Sequence, residues 1–356
     1  MMDKKIINVL IVEDSLTARS LLKGIIAEDP SFNVVAVVTN GKQAVESVAK
    51  LRPDVVSMDI NMPEMDGLEA TRQIMYHTPV PIVIVSSQYE TSDVALSFSI
   101  LKAGALTILP RPVGPMHPDY RQSARSYRNT LRMMAGIRVT AQRKIPPASP
   151  STMVAKRFNT TINQENRIEK PRILAIGASA GGPQALQSIL SLIPVDFTIP
   201  IVIVQHIDPN FASGFCDWFN LTSAVPVHIA SDGDKILPGH AYLPPGDSHL
   251  GVVREGFILV SKEPPERNLR PSVSFLFRSI AMVYGKNAIA VLLSGMGADG
   301  AKELKHLRDL GVITMAQDEL SSLVHGMPGE AIRMGAACVI APPEDIAREI
   351  IKNTKN

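Results

Sequence analysis

The chain contains 356 residues, which at roughly 100–200 residues per domain indicates about two domains. Hydrophobic residues make up 45% and charged residues 20%, a globular composition that excludes a disordered chain. The formal net charge of +2 argues against a nucleic-acid-binding protein.

The N-terminal apolar stretch is short and runs into Glu13 and Asp14 without a small-residue cleavage site, so we interpret it as a first strand and not as a signal peptide. Apolar runs such as Ile199–Val204 are far shorter than the ~20 residues needed to span a bilayer. We therefore expect a cytoplasmic protein without membrane insertion. Cys216 and Cys338 are the two cysteines, and their spacing is not that of a zinc site.

Residues 6–108 alternate short β-branched runs with amphipathic segments. Five strands are predicted, over Asn8–Val12, Asn33–Val38, Val55–Met58, Ile82–Ser86 and Leu106–Leu109. Helices are predicted between them near residues 16–28, 41–51, 66–77 and 92–103. Continuous apolar strands alternating with helices indicate a parallel sheet covered on both faces, so we expect a flavodoxin-like (βα)5 domain.

A further helix is predicted over Pro118–Gly136. Its apolar stripe consists of Tyr120, Ala124, Tyr127, Leu131 and Met134. A basic flank follows one position later, at Arg121, Arg125, Arg128 and Arg132. This pattern indicates either a last helix with a solvated arginine edge or a docking surface for an acidic partner or the neighbouring domain.

Residues 137–170 lack apolar periodicity and include the stretch IPPASPST, which is typical of a linker. The segment 121–170 carries 11 basic and two acidic side chains, whereas both flanking blocks are mildly acidic. We predict a first domain over residues 1–136, a basic linker over 137–170 and a second domain over 171–352. Our hypothesis is that the basic segment tethers the two acidic domains.

The alternation of strands and helices restarts at Arg172. Strands are predicted over Ile173–Gly177, Pro200–Gln205, Ala288–Leu293, Val312–Met315 and Cys338–Ile340, with a hairpin-like stretch over His240–Val260. The second domain is therefore expected to be a doubly wound α/β domain with an antiparallel hairpin insertion.

Polar side chains gather at the carboxyl ends of the strands of the first domain. Glu13 and Asp14 follow the first strand, Asp59 follows the third and Ser86 closes the fourth. Three carboxylates at one sheet edge repel one another unless a cation lies between them, and such oxygen ligands suit Mg²⁺. One carboxylate could then accept a phosphoryl group. The alternative is that these residues are only strand-end and cap residues.

The stretch ILAIGASAGGPQAL (173–186) runs from a strand through a glycine-rich turn into a helix. Gly177–Gly181 matches the G-x-S-x-G nucleophile elbow, with Ser179 as the nucleophile and the helix N-terminus beside it for an oxyanion. A dinucleotide-binding loop and a purely structural glycine turn are the alternatives. The dinucleotide loop needs an acidic residue after the next strand, whereas Asp196 precedes that strand.

A serine nucleophile needs a base and a residue that orients the base. His206 ends the next predicted strand, and Asp299 lies in LLSGMGADGA (292–301), again a strand followed by a glycine-rich turn. Ser179, His206 and Asp299 would then gather at strand carboxyl ends. His325 is the main alternative base, because α/β-hydrolases place their histidine last along the chain.

The first ~120 residues resemble the receiver domain of bacterial response regulators, in VLIVEDS (9–15), MDINMPEMDGLEA (58–70), IVIVSSQ (82–88) and KAGALTILPRP (102–112). The resemblance implies that Asp59 is the phosphoacceptor. It implies that Mg²⁺ is bound by Glu13, Asp14, Asp59 and the backbone carbonyl of Asn61, and that Ser86 is the switching hydroxyl. Arg111 takes the place of the usual lysine and presents a planar fork instead of a point charge.

Residues ~171–350 resemble the catalytic domain of the chemotaxis protein-glutamate methylesterase (CheB) family, in GASAGG, VQHIDPNF, AYLPPGD, LLSGMGADGA and HGMPGEAI. The resemblance implies that Ser179 is the nucleophile, His206 the general base and Asp299 its orienting carboxylate. The backbone N–H groups of Ala180 and Met296 are candidate oxyanion donors. Two departures from the family pattern are Ala180, where threonine is frequent, and His325, where tyrosine is frequent.

The two resemblances together imply a response regulator whose output is a serine hydrolase. Its substrates would be glutamate methyl esters, and also glutamines, on the cytoplasmic helices of methyl-accepting chemotaxis receptors. The esterase reaction needs no cofactor. A chemotaxis histidine kinase would be the phosphodonor, and phosphorylation of Asp59 would relieve inhibition of the esterase by uncovering the Ser179 cleft. Two alternatives stay open: a receiver that only takes up phosphoryl groups or binds partners, and a different serine hydrolase that uses His325.

Overall fold

The computed structural model describes residues 6–86, 99–137, 139, 171–254 and 256–355. The chain divides into two compact units, residues 1–147 and 148–356. The division falls in the predicted linker, most of which lies outside the described residues, so the predicted domain bounds stay predictions. Residues 92–98 of the predicted 92–103 helix also lie outside them, and residues 99–102 are helical.

The first unit contains a parallel sheet with the strand order β2-β1-β3-β4-β5. Its strands are β1 (Ile7–Val12), β2 (Phe32–Val38), β3 (Val55–Met58), β4 (Ile82–Ser86) and β5 (Thr107–Pro110). β3 and β4 are buried along their whole length, as the continuous apolar runs predict for strands covered on both faces. Each observed strand begins within one residue of its predicted start.

Three of the four labelled helices of this unit start at side-chain caps. The labelled helices are α1 (Leu16–Ala27), α2 (Gly41–Leu51), α3 (Gly67–His77) and α4 (Tyr120–Ala135). Ser15, Asn40 and Asp66 each accept a hydrogen bond from a backbone N–H in the first turn of the helix that follows. The caps at Ser15 and Asp66 begin the helices that follow β1 and β3 along the chain.

The apolar stripe of α4 is buried as predicted, with Ala124, Tyr127, Leu131 and Met134 in the core. Half of its basic flank is engaged within the same unit. Arg128 Nη1 lies 2.6 Å from Glu28 Oε2, and Arg132 is paired with Asp29. Arg121 and Arg125 are exposed, and the alternative of a docking surface stays a prediction.

The second unit contains a seven-stranded sheet in the order β14-β13-β12-β6-β7-β9-β8, with all neighbours parallel. These strands are β6 (Ile173–Ala178), β7 (Ile201–Gln205), β8 (Val227–Ile229), β9 (Ala241–Leu243), β12 (Ala288–Leu292), β13 (Ile313–Gln317) and β14 (Val339–Ala341). The helices are α5 (Gly182–Leu190), α6 (Ala212–Thr222), α7 (Val273–Tyr284), α8 (Ala301–Asp309), α9 (Met327–Arg333) and α10 (Pro343–Thr354).

The hairpin insertion is narrower than predicted. β10 (His249–Arg254) and β11 (Phe257–Ser261) form a separate antiparallel pair. The start of the predicted stretch instead becomes β9, which lies between β7 and β8 in the parallel sheet. Three residues are too few for a distinctive pattern, so the sequence did not separate this strand from the hairpin.

β6 lies at the centre of the sheet, with β7 on one side and β12 on the other. The chain winds outward in both directions from this strand, and a doubly wound sheet places its ligand crevice at the carboxyl ends around such a reversal. The predicted α/β class with two domains is confirmed. No helix of the described residues is long and apolar enough to cross a membrane.

Tyr127→Phe tests the hydrogen bond that ties α4 to β3. The Tyr127 hydroxyl donates to Ser57 Oγ at 2.8 Å, and both residues are buried. Losing this bond leaves the Ser57 hydroxyl with one partner fewer, so we expect the free energy of unfolding of the first unit to fall by about 1 kcal/mol. Chemical denaturation of the full chain measures the loss, and hydrogen exchange of the β3 amides assigns it to this unit.

Tyr120→Phe is the matched control for this experiment. The Tyr120 hydroxyl bonds to the carboxylate of Glu28 on the surface, where water replaces a lost partner. An equal loss of stability in the two variants would contradict the importance assigned to the buried bond.

Candidate functional site

Ser179 lies in the sharp turn between β6 and α5. Gly181 has φ +74°, a left-handed conformation that favours glycine, and it directly precedes the first residue of α5. The Ser179 N–H donates to the Ser294 carbonyl at 3.0 Å. The structure therefore forms the strand–turn–helix that the G-x-S-x-G pattern predicts.

His206 lies beside Ser179 because β6 and β7 are neighbours in register. Ala178 at the end of β6 pairs with Gln205 at the end of β7. Ser179 is the next residue after β6, and His206 is the next residue after β7. The His206 N–H donates to the Ala178 carbonyl at 3.0 Å, which continues the ladder past the end of the strands. Both side chains accordingly occupy the same edge of the sheet.

Asp299 engages the imidazole of His206. The distance from His206 Nε2 to Asp299 Oδ2 is 2.9 Å, and both side chains are largely buried. Nδ1 is then the ring nitrogen that remains for the Ser179 hydroxyl. A hydrogen bond between Ser179 Oγ and His206 is not among the contacts of the described residues, and such bonds commonly tighten only when substrate binds.

The N-terminus of α7 holds the Asp299 carboxylate. Ser272 Oγ donates to it at 3.0 Å, and the backbone N–H groups of Val273 and Ser274 donate at 2.7 and 3.0 Å. Burial raises the pKa of Asp299, but the hydrogen bond and charge of His206 and the bonds from α7 lower it more, so the pKa lies well below its usual range. The carboxylate is charged at neutral pH.

Ala180 and Met296 supply two backbone N–H groups beside Ser179. Neither N–H donates to an acceptor within the described residues. A Cβ on Gly295 would lie 2.8 Å from the Ser179 Cβ, so the loop that carries Met296 packs directly against the nucleophile turn. The two N–H groups are available to an oxyanion, and their role as donors stays a prediction.

His325 also lies near this edge but has different partners. The backbone of His325 forms an isolated parallel β-bridge with Gly295, and the Nδ1 of its ring lies 3.2 Å from Ser322 Oγ. Burial lowers the pKa of His325, against the opposing charges of Glu319 and Asp318. No carboxylate of the described residues is hydrogen-bonded to its ring, whereas Asp299 is bonded to His206. The geometry therefore favours His206 as the base.

Four residues that support the site were not predicted from the sequence: Gln205, Ser272, Ser274 and Ser294. The signal for Ser272 was present, since PSVS (271–274) before an apolar run is typical of a helix N-terminus. The partner of that cap is Asp299, 27 positions away. No spacing rule reveals such a contact, because it depends on how α7 packs against the end of β12.

In the first unit, Glu13, Asp14 and Asp59 form an acidic cluster at the carboxyl ends of β1 and β3. Val12 pairs with Met58, and one carboxylate oxygen from each acidic residue lies within 4.8 Å of the others. Glu13 and Asp59 are buried and Asp14 is exposed. The structure thus brings together the three predicted carboxylates. Asn61 is exposed two positions beyond Asp59, and its role stays a prediction.

Arg111 occupies the neighbourhood of these carboxylates. Its Nη2 lies 2.9 Å from Glu13 Oε2 and 3.1 Å from Asp59 Oδ1. The backbone N–H of Arg111 donates to the carbonyl of Ser86, the last residue of β4. The predicted switch residues Ser86 and Arg111 therefore lie together at the edge that carries Asp59.

The electrostatics of the acidic cluster call for positive charge. Burial and the charge of Asp59 raise the pKa of Glu13 to about 7, against the opposing charge of Arg111. Burial also raises the pKa of Asp59, again opposed by Arg111. Glu13 Oε2 is buried and, despite its short ion contact, has no aligned hydrogen-bond donor. A buried oxygen without a donor among three carboxylates fits a divalent cation.

Comparisons with known proteins agree with this architecture. The family model for the CheB methylesterase matches residues 174–350, and the model for the response regulator receiver domain matches residues 9–117. A protein-glutamate methylesterase/protein-glutamine glutaminase of Geobacter metallireducens is 47% identical over 343 residues, which cover 96% of each chain. Its counterpart in Nitrosospira multiformis is 45% identical over 342 residues, 96% of this chain and 95% of the relative.

A solved structure supports the assignment for the second unit. The methylesterase catalytic domain of Thermotoga maritima CheB is 36% identical, with a TM-score of 0.50, and the match covers 51% of this chain and 98% of that domain. The resemblance recognised in the sequence is confirmed. The receiver part precedes the methylesterase part along this chain, as the sequence predicted. The two relatives align with nearly all of the chain, and so with both parts. The chain therefore belongs to the CheB family of protein-glutamate methylesterases/protein-glutamine glutaminases, with an N-terminal receiver domain and a C-terminal methylesterase domain.

Proposed function

We propose that this chain removes methyl groups from glutamate methyl esters on the cytoplasmic helices of methyl-accepting chemotaxis receptors, and that it deamidates receptor glutamines. The observation that carries this proposal is the 2.9 Å contact between His206 Nε2 and Asp299 Oδ2, next to a serine on a nucleophile turn. The names of the near-full-length relatives support the substrate class. Because these substrates are the cytoplasmic parts of receptors, the proposal includes a cytoplasmic location for the chain.

The proposed reaction is an acyl transfer through Ser179. The Ser179 hydroxyl attacks the ester carbonyl carbon while His206 Nδ1 takes its proton, and the carbonyl oxygen becomes an oxyanion facing the N–H groups of Ala180 and Met296. The bond to the methoxy group then breaks, and His206 returns the proton so that methanol leaves. For a glutamine substrate the same step releases ammonia.

A second half-reaction restores the enzyme. His206 takes a proton from water, which attacks the glutamyl ester on Ser179, and the Ser179 oxygen leaves with the proton that His206 returns. The product is a glutamate carboxylate on the receptor. Asp299 stabilises the imidazolium that forms twice in this cycle, and its low pKa keeps it charged for that purpose.

The first unit is proposed to regulate this activity. A carboxylate oxygen of Asp59 would attack the phosphorus of a phosphohistidine on a chemotaxis histidine kinase, the physiological phosphodonor. The P–N bond would break, the kinase histidine would leave, and Asp59 would carry the phosphoryl group. Glu13, Asp14, Asp59 and the carbonyl of Asn61 would hold Mg²⁺, which neutralises charge between these carboxylates and the phosphoryl oxygens. The Ser86 hydroxyl would respond to the phosphoryl group, and esterase activity would rise because inhibition is relieved.

Separate replacement of the two histidines distinguishes the proposed base from its alternative. We expect His206→Ala to lower kcat for methanol release from methylated receptor membranes by about 10³-fold or more, because Ser179 loses its base. His325→Ala, which removes a ring without a carboxylate partner, should stay within about tenfold of the wild type. Near-normal turnover in His206→Ala would reject the proposed triad. Absence of turnover in the wild type would instead favour a binding module.

Control by phosphorylation is tested with acetyl phosphate and Mg²⁺. Methanol release by the wild type should rise several-fold on their addition, because Asp59 becomes phosphorylated. Asp59→Asn, which keeps the size of the side chain but not the nucleophile, should show no rise. Equal rates for both proteins with and without the phosphodonor would exclude regulation through Asp59.

A further inference from the structure

The peptide group between Ser179 and Ala180 has its direction fixed by hydrogen bonds at its carbonyl end. The Ser179 carbonyl accepts from the Gly182 N–H at 2.8 Å and from Gln205 Nε2 at 2.8 Å. In a trans peptide the carbonyl and the N–H point in opposite directions. The Ala180 N–H is therefore aimed away from Gln205.

Ser294 holds the two peptide groups on either side of this one. Its carbonyl accepts the Ser179 N–H at 3.0 Å, and its hydroxyl lies 2.8 Å from the Ala180 carbonyl as a donor. The Ser179 N–H is thereby occupied, whereas the Ala180 N–H has no acceptor among the described residues. The contacts made by Ser294 therefore leave the Ala180 N–H, and not the Ser179 N–H, available to an oxyanion.

Ser294 is itself held rigidly. It is fully buried, its hydroxyl accepts the Val324 N–H at 2.9 Å and its own N–H donates to Gln317 Oε1 at 2.8 Å. The chain runs directly from Ser294 into Gly295 and Met296. The Met296 N–H, which also has no acceptor among the described residues, therefore lies two residues from this fixed serine. Buried and fully bonded side chains of this kind hold a backbone in one arrangement.

We propose that Gln205 and Ser294 are positioning residues that orient the Ala180 N–H toward the oxygen that becomes negatively charged in the reaction. This inference rests on the proposed function. Neither residue belongs to the set Ser179, His206 and Asp299, and each acts through backbone groups of the nucleophile turn. Loss of either should leave substrate binding largely intact and slow the chemical step.

The test compares Ser294→Ala and Gln205→Met with Ser279→Ala. Ser279 is a buried serine of α7 whose hydroxyl accepts the Val252 N–H and donates to the Leu276 carbonyl, so its loss matches the Ser294 change without touching the turn. Two rates are measured on the full chain: methanol release from methylated receptor membranes, as kcat and KM, and phosphonylation of Ser179 by a fluorophosphonate. In the second reaction Ser179 Oγ bonds to phosphorus, fluoride leaves, and the phosphoryl oxygen occupies the oxyanion position.

Ser294→Ala and Gln205→Met should lower kcat and the phosphonylation rate about 10- to 100-fold, below the 10²–10³ typical of a donor removed outright, with KM changed less than about threefold. Ser279→Ala should leave both rates within about twofold. The proposal is overturned if the two variants keep wild-type rates, change KM alone, or lose no more than the Ser279 control. If the wild type releases no methanol, the proposed function fails, and the phosphonylation rates alone decide this inference.

Arg111 supports a second, independent inference about the first unit. Its guanidinium contacts Glu13 and Asp59, two of the three carboxylates of the acidic cluster. An arginine side chain stays protonated at any working pH, and its fork can contact two carboxylates at once. The side chain is 21% exposed, so it has a route out of the cluster.

We infer that Arg111 is a built-in counter-cation that competes with Mg²⁺ for the oxygens of Glu13 and Asp59. A divalent cation and the guanidinium cannot both take the same carboxylate oxygens at full strength. Mg²⁺ binding then requires Arg111 to withdraw from at least one of the carboxylates, and the affinity for Mg²⁺ is lowered accordingly.

Calorimetric titration of the full chain with Mg²⁺ tests this competition. We expect the Kd for Mg²⁺ to fall at least tenfold in Arg111→Ala and by less in Arg111→Lys, which keeps a charge but loses the fork. Arg128→Ala removes an arginine from an ion pair elsewhere in the same unit and should leave the Kd unchanged. Asp59→Asn should weaken the titrated site if it is the acidic cluster.

Thermal unfolding provides the second measurement. Without Mg²⁺, Arg111→Ala should unfold at a lower temperature than the wild type, because the acidic cluster loses its counter-charge. Saturating Mg²⁺ should remove this difference in unfolding temperature. Equal Mg²⁺ affinity in the wild type, Arg111→Lys and Arg111→Ala would overturn the inference. So would the absence of Mg²⁺ binding in all three.

Discussion

One buried negative charge, the Asp299 carboxylate, organises the catalytic end of the second unit. A carboxylate removed from water is costly unless donors replace the water, and Asp299 receives donors from α7 and from His206. The same hydrogen bonds that keep it charged also fix the position of α7 against the end of β12 and the orientation of the His206 ring. Folding stability and catalytic geometry therefore depend on the same contacts.

The two units stabilise negative charge at the carboxyl ends of their strands in different ways. In both, a parallel sheet collects polar side chains at the carboxyl ends of neighbouring strands, where charge accumulates. In the second unit a single carboxylate is stabilised by His206 and by donors at a helix N-terminus. In the first unit three carboxylates converge, which neutral donors cannot balance, and Arg111, directly after β5, supplies positive charge. The proposed phosphoryl group on Asp59 would add further negative charge at that point.

Most strands, and the side chains that gather at their carboxyl ends, could be predicted from the sequence because these depend on local pattern. Runs such as Val55–Met58 and Ile201–Gln205 are apolar throughout and bounded by turns, so their ends could be located within about a residue. The shared location of Ser179, His206 and Asp299 at one edge of the sheet could be predicted because each follows such a strand. β9 could not be separated from the hairpin, since it has three residues and its partners β7 and β8 are set by tertiary packing.

The supporting residues of the site could not be predicted for a related reason. Gln205, Ser294 and Ser272 have ordinary residue types at positions where many structures carry solvent-facing polar groups. Their roles depend on hydrogen bonds to backbone atoms of other elements, such as the Ser294 contact with Ala180, 114 positions away. Only the register of β6 against β12 brings these atoms together. A pattern along one segment carries no information about that register.

The close approach of α7 shows how the glycines of two separate motifs serve one contact. A Cβ on Gly177 would lie 2.3 Å from Val273 Cγ1, and a Cβ on Gly300 would lie 2.4 Å from the same atom. Both glycines are therefore required by the same side chain, because an alanine at either position would push the start of α7 outward. The N–H of Val273 is the group that donates to Asp299 at 2.7 Å. Gly177, two positions before Ser179, and Gly300, directly after Asp299, thus let the start of α7 reach the Asp299 carboxylate.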